Sequence, residues 1–162
     1  MKNQNGFITL EIILATAIIS LLAFVAVPKI DKIMDKILLD YEMKNFIGEV
    51  NSVRSMNRSS TFNPTIFYEK VSQPTTEIML EINKTAGTWR LWSDAKRLGE
   101  TRRLPSGMKI NYSPDSIKRI RFNSNGVYSG DSGTVTLTSR RGKKAMIIFD
   151  SVGRWRGEKI SD

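Results

Sequence analysis

The chain has no cysteine and no histidine among its 162 residues. Without cysteine no disulfide can staple a fold, so any domain outside a reducing compartment must be held by packing alone. Without histidine the commonest general base and metal ligand is missing. Gly-rich phosphate loops, metal-ligand spacings and paired catalytic carboxylates are not found either. These absences point away from an enzyme, and we expect neither a cofactor nor a metal.

What is present begins at the N-terminus. Phe7 to Val27 is a run of 21 residues broken only by Thr9, Glu11, Thr16 and Ser20. As a helix rising ~1.5 Å per residue it spans roughly 30 Å, the thickness of a bilayer's hydrocarbon core. A membrane segment over residues 7–28 is the direct reading. Glu11 is out of place there. An unpaired carboxylate in the hydrocarbon region costs a few kcal/mol or more, so its presence implies a function and a partner. Gly6 stands immediately before the run, and Pro28 immediately after it.

Charge is distributed unevenly. The net charge is +9; residues 1–89 carry nine Lys/Arg and nine Asp/Glu, residues 90–162 carry sixteen and seven. The whole excess lies in the second half, which suggests a polyanionic partner there or a solubilising face.

Past Pro28 the helical period continues. Ile30, Ile33, Met34, Ile37, Leu38 and Tyr41 recur at intervals of three and four, a stripe expected to pack on a globular domain. The helix is expected to run through residues 29–60 and to end at Ser59-Ser60-Thr61 and Asn63-Pro64. Residues 61–162 then change to period two. Ile66-Phe67-Tyr68 reads as a first strand, and Ile78, Leu80 and Ile82 pair with Trp89 to Trp92 across a loop containing Gly87. Ser93 to Arg103 reads as a polar connection. Further strands are expected around Met108 to Tyr112, across an Asn125-Gly126 turn, over Thr134 to Thr138, and from Ala145 to Phe149. The fold class is therefore α+β: a long N-terminal helix packed on an antiparallel β-sheet head.

Gly6-Phe7-Ile8-Thr9-Leu10-Glu11, with the apolar run behind it, resembles the class III leader of type IV pilins and type II secretion pseudopilins. The resemblance implies a leader, residues 1–6, removed by a prepilin peptidase between Gly6 and Phe7. It implies N-methylation of Phe7, a helix bend at Pro28, and assembly through Glu11, which would neutralise a neighbouring subunit's N-terminal amine. It further implies location in the cytoplasmic membrane with the head outside the cytoplasm, and other pilins as partners. Lysines alone would argue the opposite orientation, since Lys29, Lys32 and Lys36 follow the span and only Lys2 precedes it. Leu104-Pro105-Ser106-Gly107, Phe122 with Asn125-Gly126, the strand from Thr134 and the closing Gly153-Arg154 follow the order of the GspH/FimT-type minor pilins.

Three constellations remain. Gly130-Asp131-Ser132-Gly133 resembles a serine-protease nucleophile segment, but no histidine is available to take the serine proton, so we read a tight turn. Trp89 is assigned to the core, with Leu91 on the opposite face and Trp92 left open; Arg97, Arg102 and Arg103 are placed in a solvated loop. The candidate DNA site is basic and aromatic: Arg154, Trp155 and Arg156, with the turn residues Arg140, Arg141, Lys143 and Lys144. Cations neutralise phosphates and an aromatic ring stacks on an unpaired base. Gly153, Arg154 and Arg156 also match the Gly-Arg-x-Arg ending of DNA-binding FimT-type pilins, although related secretion pseudopilins carry a similar ending without DNA work. Two functions are thus open: a filament subunit that captures DNA, or a purely structural pseudopilin.

Overall fold

The structure, a computed structural model, describes residues 5–58, 78–93, 96–123, 125–150 and 154–160. A single helix, α1, runs from Asn5 to Arg58 and continues through Pro28. Behind it come eight strands: β1 (Ile78–Asn83), β2 (Thr88–Ser93), β3 (Lys96–Arg103), β4 (Lys109–Ser113), β5 (Arg119–Arg121), β6 (Gly133–Thr138), β7 (Lys144–Phe149) and β8 (Trp155–Ile160). They form two four-stranded sheets, β3-β2-β1-β5 and β4-β6-β7-β8, antiparallel at every pairing. The α+β architecture expected from the sequence is the one observed.

Both sheets and the C-terminal half of α1 share one core. Ile78, Leu80 and Ile82 of β1, Trp89 and Leu91 of β2, Val135 and Leu137 of β6, and Ile147 and Phe149 of β7 all face inward. Residues two apart on a strand share a face. Leu91 therefore lies on the same side as Trp89, and the expectation of opposite faces is wrong. Trp89 itself is buried and meets Phe46 of α1 edge-on, ring centroids 5.4 Å apart. Trp92 points the other way, under the guanidinium of Arg90 at 4.7 Å.

The helix presents a different face to the head from the one expected. Leu39, Met43, Phe46, Val50 and Val53 are buried, at the three-and-four spacing of one stripe. Ile30, Ile33, Met34, Ile37 and Tyr41 are each more than half exposed, and only Leu38 of the expected set packs on the core. Two apolar stripes run along this helix; the head covers the second. Asn57 fixes where the head begins. Its side-chain amide donates to the Ile78 carbonyl (2.7 Å) and its oxygen accepts from the Ile78 amide (2.9 Å), so β1 starts against the last turn of α1.

Two further corrections concern strands. Ser93 to Arg103 is no loop for most of its length: Lys96–Arg103 is β3, an edge strand paired with β2. The residues Arg154 to Gly157, for which no strand was expected, lead into and form β8, paired with β7. The hairpin at Asn125-Gly126 is as expected, with Phe122 bridging Tyr128 and the Asn123 amide donating to the Val127 carbonyl at 2.9 Å. Expectations for Ile66-Phe67-Tyr68, for the helix stop after Arg58 and for Gly153 lie outside the described residues.

Candidate functional site

The first part of α1 is uncovered by the head. Every residue from Phe7 to Ile30 is exposed, and the helix is long and apolar enough to cross a membrane. Its hydroxyls are answered within the helix: Thr16 donates to the Ile13 carbonyl (2.9 Å) and Ser20 to the Thr16 carbonyl (2.7 Å). Such bonds let hydroxyls enter lipid without an unsatisfied donor. Glu11 is exposed on this segment and is the one charged side chain between Phe7 and Val27. Phe7 lies in the first turns of α1, 77% exposed.

The seven residues of the candidate DNA site do not converge. Arg140, Arg141, Lys143 and Lys144 belong to the β6–β7 turn at one end of β7; Arg154, Trp155 and Arg156 lie at the other end, where Trp155 pairs with Phe149 and Arg156 with Ile148. Along a strand of this length the two groups are roughly 16 Å apart. The turn arginines are also engaged. Arg141 forks onto Asp31 of α1 through Nε (2.9 Å) and Nη2. Arg140 reaches Asp31 (3.1 Å) with Nη2 and the buried Asp35 (3.8 Å) with Nε. The hydrogen bond from Arg141, helped by the charge of both arginines, holds the Asp31 carboxyl below its usual range against the raising effect of partial burial.

At the other end Arg154 and Arg156 are exposed, and Arg154 has an ion pair with Asp150 at 3.6 Å. Trp155 is half-buried and packs on the core beside Phe149. It is no free stacking platform, though one edge lines an open cleft of about 480 Å³ with Ser132, Ile148, Phe149 and both arginines. Gly157 explains the small residue after the last arginine. A Cβ there would come within 2.7 Å of Met43 Cε and 3.1 Å of Ile47 Cδ1, so glycine lets α1 pass directly over β8. In Gly130-Asp131-Ser132-Gly133 a Cβ on Gly133 would lie 2.1 Å from Ile117 Cδ1 and 2.5 Å from the Ser113 carbonyl. Tyr128 donates its hydroxyl to the Asp131 carbonyl at 2.9 Å. The segment is the tight entry into β6.

A further group of cations escaped the sequence reading. On the outer face of the first sheet, Glu81 lies between Arg90 and Arg119 in register, and Met79 between Trp92 and Arg121. Glu81 accepts from Arg90 Nε (3.2 Å) and Nη2 (3.0 Å), and from Arg119 at 3.4 Å. Burial works to raise the Glu81 carboxyl, but the two arginines prevail and hold it below its ordinary value. The alternation of Arg90 with Trp92 and of Arg119 with Arg121 was the available signal. Glu42 on α1 is buried to the same degree, 8% exposed. There burial wins, and its carboxyl is raised despite Asn45 and the charge of Arg102. Among the described residues no acidic group gathers in a way that could hold a metal ion. Comparison with known proteins finds no matching family model, no matching curated protein and no matching solved structure.

Proposed function

We propose that the chain is a pilin-like subunit of a membrane-assembled filament, cut after Gly6 by a prepilin peptidase and methylated at Phe7. Before assembly α1 anchors it in the cytoplasmic membrane with the head outside the cytoplasm. Afterwards α1 packs against other pilin subunits of a type IV pilus, a type II secretion pseudopilus or a competence pseudopilus.

The observation that carries this reading is the length of the exposed apolar ridge on α1. It runs from Phe7 to Tyr41. At ~1.5 Å per residue that is about 50 Å of helix, well beyond the ~30 Å that lipid can cover. Ile33, Met34, Ile37 and Tyr41 lie past the span and uncovered by the head. A ridge of that kind outside the bilayer marks a protein partner. Glu11, inside the ridge, supplies the charge that a neighbour's cleaved, cationic N-terminus would meet within the packed helices.

Because the chain has no cysteine, a cysteine introduced at Ile33 or Ile37 is unique. In cells producing the filament machinery, a maleimide–benzophenone reagent attached at either should photocrosslink the chain to another pilin, while the same reagent on cysteine at Lys32 should not. Absence of crosslinks at both ridge positions would overturn the reading. DNA capture stands as an addition to it, favoured by the exposure of Arg154 and Arg156 beside the Trp155 cleft.

A further inference from the structure

We infer that the foot of the head is a basic collar that seats on the headgroups of anionic phospholipids. The inference rests on the membrane reading of α1, and takes Arg140, Arg141, Lys143 and Lys144 out of the nucleic-acid site.

The helix provides a ruler. Asp31 is four residues beyond Val27, the last residue of the apolar run. That places its carboxylate about 6 Å along the axis from the end of the hydrocarbon span, at the depth of lipid headgroups. Arg140 and Arg141 both bind Asp31, so the β6–β7 turn is pinned at that level. The adjoining turn comes with it, since a Cβ on Gly107 would meet Arg140 Cγ at 2.7 Å.

The same stretch of α1 has three sides, because residues three or four apart share a face. Asp31 and Asp35 take the head's turn. Ile30, Ile33, Met34 and Ile37 form the apolar ridge. Lys29, Lys32 and Lys36 make the third side, all exposed. From the head, Lys144 is exposed and Lys143 half-exposed. Lys109 lies in the same row as Lys144, through Thr138. Asp31 is taken by Arg140 and Arg141, and Asp35 is buried beside Arg140, so six lysines are left around the stretch where α1 would leave the bilayer, on the two sides the ridge does not occupy. An anionic leaflet attracts each such lysine enough to strengthen association about fivefold. Free phosphate offers one anion at a time; a lipid surface offers many at the collar's own depth. The lysines after the span, which argue against the orientation on loop charge alone, are accounted for as surface contacts.

The test uses the full chain carrying Ser106→Cys, on the exposed turn beside Arg140, with a nitroxide on that cysteine. The chain is reconstituted in phosphatidylcholine vesicles with or without phosphatidylglycerol, plus a trace of nickel-chelating lipid. Collision with headgroup nickel should rise severalfold when phosphatidylglycerol is present, and the rise should disappear at high salt. Lys29→Gln, Lys32→Gln, Lys143→Gln and Lys144→Gln together should erase it while the chain still resists alkaline extraction. Equal collision rates in both vesicles, with the chain inserted, would overturn the collar and leave the membrane reading standing. Release by alkaline extraction would overturn the membrane reading and the collar together. Displacement of the label by soluble glycerol phosphate would assign the lysines to a free phosphate and overturn the lipid surface.

Discussion

Glu81 and Glu42 are equally buried, yet their replacement should move stability in opposite directions. Glu81→Gln keeps the shape of the side chain and removes the charge that Arg90 and Arg119 share. Breaking a fully buried ion pair from one side costs ~3–5 kcal/mol. Here the arginine side chains are 37% and 58% exposed, so solvent recovers part of that. A loss of about 2 kcal/mol remains at neutral pH. For a head of this size that lowers the melting temperature by roughly 8–16 °C. The sign of the pH dependence follows from the depressed carboxyl of Glu81. Its contribution is present above the unfolded value for glutamate, ~4.3, and fades as pH falls through the lower folded value. Parent and Glu81→Gln should therefore converge in acid. Glu42 has the reverse linkage, because its folded carboxyl is raised. Stability falls as pH rises from the unfolded to the folded value, and Glu42→Gln should leave the head as stable as the parent at neutral pH or more so. Tryptophan fluorescence of the full chain in detergent, followed through thermal melts at neutral and acid pH, reads both variants, since Trp89 is buried and Trp92 touches Arg90. A Glu81→Gln variant as stable as the parent at neutral pH, or one equally weakened in acid, would refute the balance described.

Phe46→Ala removes a fully buried ring that also meets Trp89 edge-on, and should cost ~3–5 kcal/mol in the same melts. Gly157→Leu makes the ends of the Met43 and Ile47 side chains swing aside at an exposed position and should cost about 1 kcal/mol, the low end for overpacking, while Gly142→Ala, with open space around it, should show no steric loss beyond backbone strain. Co-production with a prepilin peptidase should shorten the chain by the six leader residues, with N-methyl-phenylalanine found at the new terminus by mass spectrometry; Glu11→Ala should leave insertion intact and abolish incorporation into the filament. If Arg154 and Arg156 hold DNA, replacing both with alanine should flatten the slope of log affinity against log salt by about 1–2, each phosphate contact giving ~0.7–0.9. Unchanged DNA binding in that variant would confine these residues to the strand.

Where one face of a strand is buried and the other wet, the sequence declared it. Val135 and Leu137 face inward between threonines, and Ala145, Ile147 and Phe149 do the same. β3 gave no such signal, because it is an edge strand whose buried residue is Leu98, amid arginines that stay in water. The helix misled in another way. Periodicity reveals that α1 has apolar stripes, but which stripe the head covers depends on where β1 attaches, and that is marked by a polar residue, Asn57, one turn beyond Val53 and bonded to Ile78. The basic residues were legible as a count and not as a place. Arg141 and Arg154 lie thirteen positions apart in the sequence, yet one hairpin sends them to opposite ends of β7. The carboxylates that engage Arg140 and Arg141 come from more than a hundred residues away.

The passage of α1 over Gly157 also sets an order of events. Met43 and Ile47 are synthesised early, and the strand they rest on follows more than a hundred residues later. At ~5–20 residues per second, several seconds separate the two during translation. Phe46 meets Trp89 of β2 sooner, but through that interval Met43 and Ile47 have no β8 beside them, while the segment before them is already free to enter a membrane. A ribosome stalled before β8 would therefore leave these two apolar side chains uncovered on an unfinished head.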